Sequence, residues 1–296
     1  LEARQQFMLF QTNQEVKLNF KDKVINDLGR YRIETLGIQD AGVFSYKRQE
    51  LLKEHILPIQ FKKHNIIQNY RDSFYASSTS EIDFHKYFHH LNSSQALCIN
   101  LFFPLIAEGK LSLILRMLSI PEQAIEEATF EKESDLEVGE GRKTNFDFYM
   151  RLADDTKIYF EIKYTESEFG KAKNDSSHRG KFDKTYLPLL KGNDYINPDY
   201  HEVDKFLDSY QIMRNLCHIS ENSYVVFVYP KENKKIHSQA QSAQAQILTD
   251  KGSNRLKIMD LDTAIDEVLK QVQITNLADH YSEFKNKYLK YTSAIN

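Results

Sequence analysis

Apolar and polar residues alternate with a period of two along residues 145–152, where Phe146, Phe148, Met150 and Leu152 interleave with Asp147, Tyr149 and Arg151. The same period runs through 157–164, with Ile158, Phe160, Ile162 and Tyr164 interleaving with Tyr159, Glu161 and Lys163. Period two marks strands with one buried face. The polar turn Ala153-Asp154-Asp155 between the two runs predicts an antiparallel hairpin. A three-residue loop pairs Leu152 with Thr156 and sets Asp147 opposite Glu161, and a five-residue loop sets Asp147 opposite Lys163. Either keeps the apolar residues on one face and the charged ones on the other. A two-residue loop at Asp154-Asp155 mixes the faces and is excluded by burial.

Around this hairpin the pattern changes. Helical spacing is found at 47–57 and again at 82–91, so residues 1–92 read as an N-terminal helical region. Ser93 or Ser94 can cap a helix through Gln95, Leu97, Asn100, Leu101, Phe103 and Leu105 that is apolar nearly all round and therefore buried. Pro104 would leave the Asn100 carbonyl without its helical donor, which predicts a kink or break near Asn100. A second apolar run covers 111–118, and 128–131 reads as a first strand, followed by an acidic, Gly-containing stretch at 133–141. Residues 167–199 are polar and loop-like, and helical spacing resumes at Val203, Phe206, Leu207, Tyr210, Met213 and Cys217. Residues 223–229 form a nearly unbroken apolar run, the mark of a strand buried on both faces. Beyond it, 236–249 reads as a helix, 256–259 as a short strand and the rest as two helices. The resulting order is αβββαβ within an α/β (α+β) chain. It divides into the helical region 1–92, a core at 93–262 and C-terminal helices at 263–296 packed on that core.

Composition narrows the class without naming a chemistry. At 296 residues, 41% hydrophobic and 27% charged, the chain can bury a large core. A formal net charge of −3 means that any polyanionic partner is met by a local basic surface rather than by the whole molecule. Cys98 and Cys217 sit in apolar helical contexts without metal-ligand spacing and read as core thiols in a reducing compartment. No segment has the apolar length to cross a bilayer, and the start at Leu1 lacks the basic and apolar regions of a secretory signal, so a cytoplasmic location is expected. The missing initial Met suggests a trimmed chain.

The candidate chemistry lies in the hairpin. Two carboxylates and a lysine, Asp147, Glu161 and Lys163, are the minimum set for holding a hard divalent cation against a phosphodiester and polarising a water beside it. Glu-x-Lys alone is not specific, since Glu15-Val-Lys17, Glu232-Asn-Lys234 and Glu283-Phe-Lys285 also occur. Only Glu161-Ile162-Lys163 sits in a strand preceded by an Asp-bearing strand; the plain alternative is a solvated hairpin face with weak ion pairs. His85 and His89, four apart with His90 adjacent, form a rival zinc pattern lacking the Glu of a metalloprotease and any nearby Cys. The Gly-x-Ser-x-Gly elbow of a serine hydrolase is absent, as are phosphate-cradling Gly loops, so no nucleotide cofactor is expected.

An Asp, a gap and then Glu-x-Lys on successive strands resembles the PD-(D/E)XK nuclease superfamily. The strings His55-Ile-Leu-Pro58, His90-Leu-Asn-Ser-Ser-Gln95, Asn100-Leu-Phe-Phe-Pro-Leu105, Asn145-Phe-Asp147 and Phe160-Glu-Ile-Lys-Tyr-Thr-Glu166 resemble a bacterial restriction-endonuclease-like group within it, called PGN_0703-like, over residues 50–230. Phe146 stands where the superfamily name has Pro. The resemblance implies a restriction-endonuclease-like αβββαβ core with a mixed central sheet. It also implies a metal-dependent DNA endonuclease of restriction or defence type, with Mg²⁺ as cofactor and Mn²⁺ as a substitute. On that reading Asp147 and Glu161 bind the metal, the Ile162 carbonyl is a further ligand, and Lys163 stabilises developing negative charge. Glu131 or Glu108 are candidates for a third acidic ligand.

Gln95, Asn100 and Gln211 are polar residues on helices that either brace the site or are satisfied in the core. Lys171, Lys173, Arg179, Lys181 and Arg214 are the expected contacts to the nucleic-acid backbone, with Tyr186, Tyr195 and Tyr200 as stacking candidates. DNA is the expected partner, and a duplex cutter commonly acts as a homodimer. The other outcomes are a non-cleaving nucleic-acid-binding module on the same fold and a nuclease acting on RNA.

Overall fold

The computed structural model describes residues 18–47, 49–138 and 142–290. The stretch at 1–7 and the end of the acidic run at 133–141 lie outside the described residues. The order begins with α1 (Phe20–Glu34), a hairpin of β1 (Gly42–Tyr46) and β2 (Gln49–Lys53), α2 (Gln68–Ala76), α3 (Ser94–Ala107) and α4 (Ser112–Met117). Three strands follow, β3 (Ile125–Glu133), β4 (Asn145–Leu152) and β5 (Lys157–Ile162). The chain continues through α5 (Ser176–Lys181), α6 (Leu187–Leu190), α7 (Val203–Asp208), α8 (Tyr210–Leu216), β6 (Ser223–Tyr229), α9 (Lys234–Ser242) and α10 (Asp250–Ser253). It closes with β7 (Leu256–Asp260), α11 (Leu261–Gln271) and α12 (Thr275–Tyr288). The expected αβββαβ order is present as α3, β3, β4, β5, α8 and β6.

β1 and β2 form a two-stranded sheet of their own, and the other strands form one mixed five-stranded sheet in the order β3-β4-β5-β6-β7. β3, β4 and β5 pair antiparallel, and β5, β6 and β7 pair parallel. The hairpin takes the three-residue loop: Leu152 N donates to Thr156 O at 2.9 Å, Asp155 adopts φ +64°, and Phe148 pairs with Phe160. One face of the sheet carries Phe148, Met150, Leu152, Ile158, Phe160 and Ile162 into a core shared with α1, α2, α3, α11 and α12. α3 lies across β4 and β5, with the Phe102 ring stacked on Phe148 at 4.1 Å and edge-on to Phe160 at 5.1 Å. The other face packs Tyr149, Tyr159, Val225 and Phe227 against the helices between β5 and β7.

Several expectations are corrected. Within 47–57, residues 49–53 are a strand of the β1–β2 ribbon rather than part of a helix, with Leu51 and Leu52 exposed, and only Ile56 and Leu57 beyond it are buried apolar residues. Residues 82–91 are turns rather than a helix: the Asn65 amide takes the Phe88 and His90 carbonyls at 2.6 and 2.7 Å, in place of helical N–H groups. The 167–199 segment contains α5, a π-turn at Phe182–Tyr186 and α6 instead of being all loop. The single helix expected across 203–217 is split at Ser209 into α7 and α8. Phe146 leaves the face of Phe148 and packs in the opposite core against Tyr159 and His218. Beside it on β3, Glu131 holds a left-handed φ of +54°, which breaks the regular pleat.

Ser93 caps α3 by accepting from Ala96 N at 3.3 Å, and the helix runs unbroken through Pro104. The Asn100 carbonyl freed by the proline accepts instead from His280 Nε2 of α12 at 2.8 Å. The Asn100 side chain is equally engaged, donating to Asn65 O, Ala96 O and Tyr288 Oη and accepting from Ile67 N. The break expected at this helix is avoided because α12 supplies the missing donor.

Replacing His280 by Phe preserves a ring in this buried space and removes the donor. Urea unfolding should show the variant less stable by about 1–3 kcal/mol, the cost of a buried unpaired carbonyl; an unchanged midpoint would show that α3 does not need α12 at this position.

Candidate active site

The site forms where β4 and β5 part. Their paired ladder ends at Phe148 and Phe160, and beyond it the Asp147 carboxylate accepts from the backbone N–H of Ile162 at 2.6 Å. β5 instead stays with β6 on its other side, where Lys163 N donates to Val228 O at 2.9 Å. A carboxylate that replaces a ladder carbonyl opens a gap between two strands while leaving no donor unpaired. The Cys98 thiol on α3 donates to the Asp147 carbonyl at 3.4 Å, tying the core helix to this point.

Glu161 and Lys163, two apart on β5 and its continuation, lie on the α8 side of the gap. Lys163 Nζ donates to Glu161 Oε1 at 2.8 Å. Gln211 on α8 bridges the pair, donating from Nε2 to Glu161 Oε1 at 2.7 Å and accepting at Oε1 from Lys163 Nζ at 3.1 Å and Gly170 N at 3.2 Å. Asn215, one turn further along α8, donates to Glu161 Oε2 at 3.1 Å. Both oxygens of Glu161 are thus held. Glu161 is 4% exposed and Lys163 7%, which rules out the solvated hairpin face. Asn215 is a site residue that sequence reasoning missed. Its position four residues after Gln211, on the same helical face, is the signal that could have found it.

On the opposite wall Glu131 faces the same gap. Its carboxylate accepts from Gln95 Nε2 of α3 at 2.7 Å and from the Asn145 amide. Gln95 Oε1 in turn accepts from His85 N at 2.9 Å. Asn100 belongs to the core network and Glu108 accepts from the Tyr70 hydroxyl at 2.7 Å, so neither is among the residues lining the cleft. Glu131, Asp147, Glu161, Ile162, Lys163 and Gln211 line one cleft of about 780 Å³.

The electrostatics of this cleft are strained. Burial holds the Asp147 carboxyl well above the usual carboxylate range, and the neighbouring Glu161 and Glu131 charges push it further up against the pull of Lys163. Burial likewise raises Glu131, only partly offset by its Gln95 and Asn145 donors. For Lys163 burial acts downward, but Glu161, Glu166 and Asp147 together outweigh it and raise the ammonium above its ordinary value. The lysine is therefore a fixed cation among crowded carboxylates.

The histidines are arranged differently from the zinc pattern. His85 and His89 lie on turns, without a shared helical face. The His90 ring stacks on Tyr87 at 4.8 Å, and burial together with His89, His55 and His85 pushes it down to about 3, so it is neutral. Among the described residues no group of three or more His, Cys, Asp or Glu side chains is arranged so that it could hold a metal ion.

The basic residues expected to meet nucleic acid are mostly engaged elsewhere. Arg179 is tied to Asp204 and Asn174. Lys181 donates to Arg142 O at 2.6 Å, Arg214 donates to Thr144 Oγ1 at 2.9 Å, and both approach the buried Glu137. These two brace the segment entering β4. Lys171 and Lys173 are exposed, and Lys171 lines a smaller cavity beside the cleft. Tyr186 is buried and stacked on Phe206, while Tyr195 and Tyr200 lie under Lys251 and Lys205.

A family model described as restriction endonuclease associating with ARP matches residues 26–289. The match supports the restriction-endonuclease-like resemblance and not its narrower PGN_0703-like assignment. Comparison with the curated proteins and with the solved structures gives no match. Because the family match runs from within α1 to the end of α12, and so takes in the whole sheet and the helices that close the cleft, the chain belongs to the family of restriction endonucleases associating with ARP.

Proposed function

We propose that this protein is a divalent-metal-dependent endonuclease that hydrolyses phosphodiester bonds in DNA. The observation that carries the reading is the buried Glu161–Lys163 pair set against the Asp147 carboxylate at the parted strands. Burying three carboxylates beside one lysine destabilises a fold unless something relieves their repulsion. A binding module that never cleaves has no use for that cost.

The residues present fit Mg²⁺. This ion takes one or two carboxylates and retains several waters, so an open set of oxygen ligands suits it and a closed cage is not required. Asp147 and Glu161 would hold the metal, with the Ile162 carbonyl and Glu131 as further oxygens. When bound, the metal supplies an acidified water and neutralises charge on the phosphate. The protein supplies the rest. Gln211 and Asn215 fix the Glu161 carboxylate in one orientation. Lys163, held cationic by its carboxylate neighbours, is placed to stabilise negative charge developing on the phosphoryl oxygens rather than to act as a base.

Incubation with supercoiled plasmid should give cutting with Mg²⁺ or Mn²⁺ and none with EDTA. Lys163→Ala should lower the rate by about 10²–10³-fold, the usual effect of losing one charge-stabilising donor. Cutting that survives EDTA, or a Lys163→Ala enzyme as fast as the wild type, would overturn the assignment. Parallel reactions on single-stranded DNA and RNA identify the substrate if duplex DNA is left intact.

The raised Asp147 pKa predicts a stability effect of definite sign. A carboxyl bound more tightly to its proton in the native state stabilises the fold below its unfolded value of about 3.9, and that gain is lost as pH rises through the higher folded value. Asp147→Asn keeps an acceptor for Ile162 N and removes the charge. In metal-free buffer at pH 8 it should melt roughly 2–4 °C above wild type. The difference should shrink on acidification, and added Mg²⁺ should raise the melting temperature of wild type more than that of the variant. A variant that melts lower at pH 8 would refute the account of crowded carboxylates.

A further inference from the structure

The catalytic cleft is the middle of a longer groove. A cavity of about 600 Å³ adjoins it on one side and shares Lys21, Thr165 and Glu166 with it. A cavity of about 270 Å³ adjoins it on the other and shares Arg142, Lys143, Asn145 and Gln211. The three run together, with Asp147, Glu161 and Lys163 in the central one.

Charge is distributed unevenly along this groove. The first cavity is lined by Lys21 and Lys23 from the opening turn of α1 and by Lys234 and Lys235 from the opening turn of α9. None of these four pairs with a carboxylate among the described residues; Lys234 Nζ makes a bond only to the Lys231 carbonyl. The α9 pair is fixed relative to the catalytic strand, because the buried Asn233 side chain donates to Tyr164 O and Glu166 O at 2.9 Å each. Tyr164 directly follows Lys163. At the far side Arg142 and Lys143 stand on the segment braced by Lys181 and Arg214. Glu166 and Glu232 also line the first cavity, where the four lysines outnumber them; the described lining of the second holds Arg142, Lys143, Lys171 and Arg214 without a carboxylate, and Glu131, Glu133, Asp147 and Glu161 line the centre, in a chain whose net charge is −3.

A small anion would use one of these flanks. An extended polyanion uses both, with the bond to be broken between them. We propose that a nucleic-acid strand lies along this groove, its phosphates on one side of the cleaved bond held by Lys21, Lys23, Lys234 and Lys235 and on the other by Arg142 and Lys143, so that cleavage is internal. This deepens the nuclease reading and rests on it.

The test separates binding from cutting. In a full-length Asp147→Asn background, the affinity for a labelled 30-base-pair DNA duplex is measured against NaCl concentration without divalent metal. Each lost phosphate contact lowers the slope of log affinity on log salt by about 0.9. Removing the four lysines as alanines should weaken binding about tenfold or more and flatten the slope by about 3–4, and Arg142→Ala with Lys143→Ala by about 2. A control removing the same number of charges, at the exposed Lys110, Lys184, Lys191 and Lys270, should leave the slope unchanged. All ten residues are at least partly exposed, so folding is not at stake.

Groove variants with the wild-type slope, or a control that flattens it equally, overturn the track whether or not the wild type cuts. A wild type that degrades linear duplex only from its ends, leaving closed circles intact, overturns internal cleavage. If the wild type cuts nothing while the groove variants still flatten the slope, the track stands and the nuclease reading falls.

Discussion

The functional architecture depends on one backbone donor, the N–H of Ile162, being taken by the Asp147 side chain. An antiparallel pair such as β4 and β5 gains by continuing its ladder, and an interrupted ladder normally leaves unpaired groups that cost free energy. Here the interruption costs little because the carboxylate accepts at 2.6 Å where a carbonyl would have stood. The strands can then separate. Asp147 is brought to the end of the gap, and Glu161 and Lys163 follow on the strand that stays with β6. A neutral, non-accepting side chain at position 147 would leave Ile162 unpaired and favour closing the sheet over the cleft.

The remaining site residues can be understood as answers to the charge that this arrangement buries. Glu161 sits 4% exposed, so each oxygen must be paired, and Lys163, Gln211 and Asn215 do so. Glu131 is held by Gln95 and Asn145 in the same manner. Around Glu161 both carboxylate oxygens are paired, whereas beside Glu131 the Asn145 amide oxygen has no partner among the described residues; a satisfied network holds its members in place, which the proposed reaction on a phosphate would require. The repulsion left among Asp147, Glu131 and Glu161 is not relieved by the protein itself. On the proposed nuclease reading a bound cation would relieve that residual, which would place function and stability in opposition at one spot.

The parts of this structure that were legible in the sequence are those decided locally. Period-two alternation placed β4 and β5, and burial of one face excluded an even loop; only the left-handed Asp155 and the Leu152–Thr156 bond select the three-residue loop over the five-residue one. The αβββαβ order followed from the same patterns. What was not legible was decided by distant partners. Residues 82–91 have helical spacing, yet Asn65 captures their carbonyls from elsewhere in the chain. α3 was expected to break, yet His280, 180 residues away, supplies its missing donor. Phe146 left the period beside a left-handed Glu131 on the adjacent strand β3, a neighbour that no rule on β4 alone takes into account. Asp147, Glu161, Lys163, Gln95, Gln211 and Glu131 line one cleft, whereas Asn100 belongs to the core and Asn215, which holds Glu161, was not singled out by the sequence.

Basic residues show the same division between local and distant effects. The run from Lys171 to Lys191 stands out in the sequence because its cations are close together, but the fold brings carboxylates and carbonyls from other parts of the chain to absorb several of them. Arg179 is taken by Asp204, and Lys181 and Arg214 by the Glu137 and Arg142 segment. Lys21, Lys23, Lys234 and Lys235 attract no notice in sequence, since more than two hundred positions separate the two pairs. The fold brings them together at the amino ends of α1 and α9, where they share a cavity with Glu166 and Glu232 without forming an ion pair to either among the described residues. A cation becomes available to a polyanion when the fold has given it no carboxylate partner of its own. A weakly acidic chain can therefore present a basic groove without carrying a basic sequence.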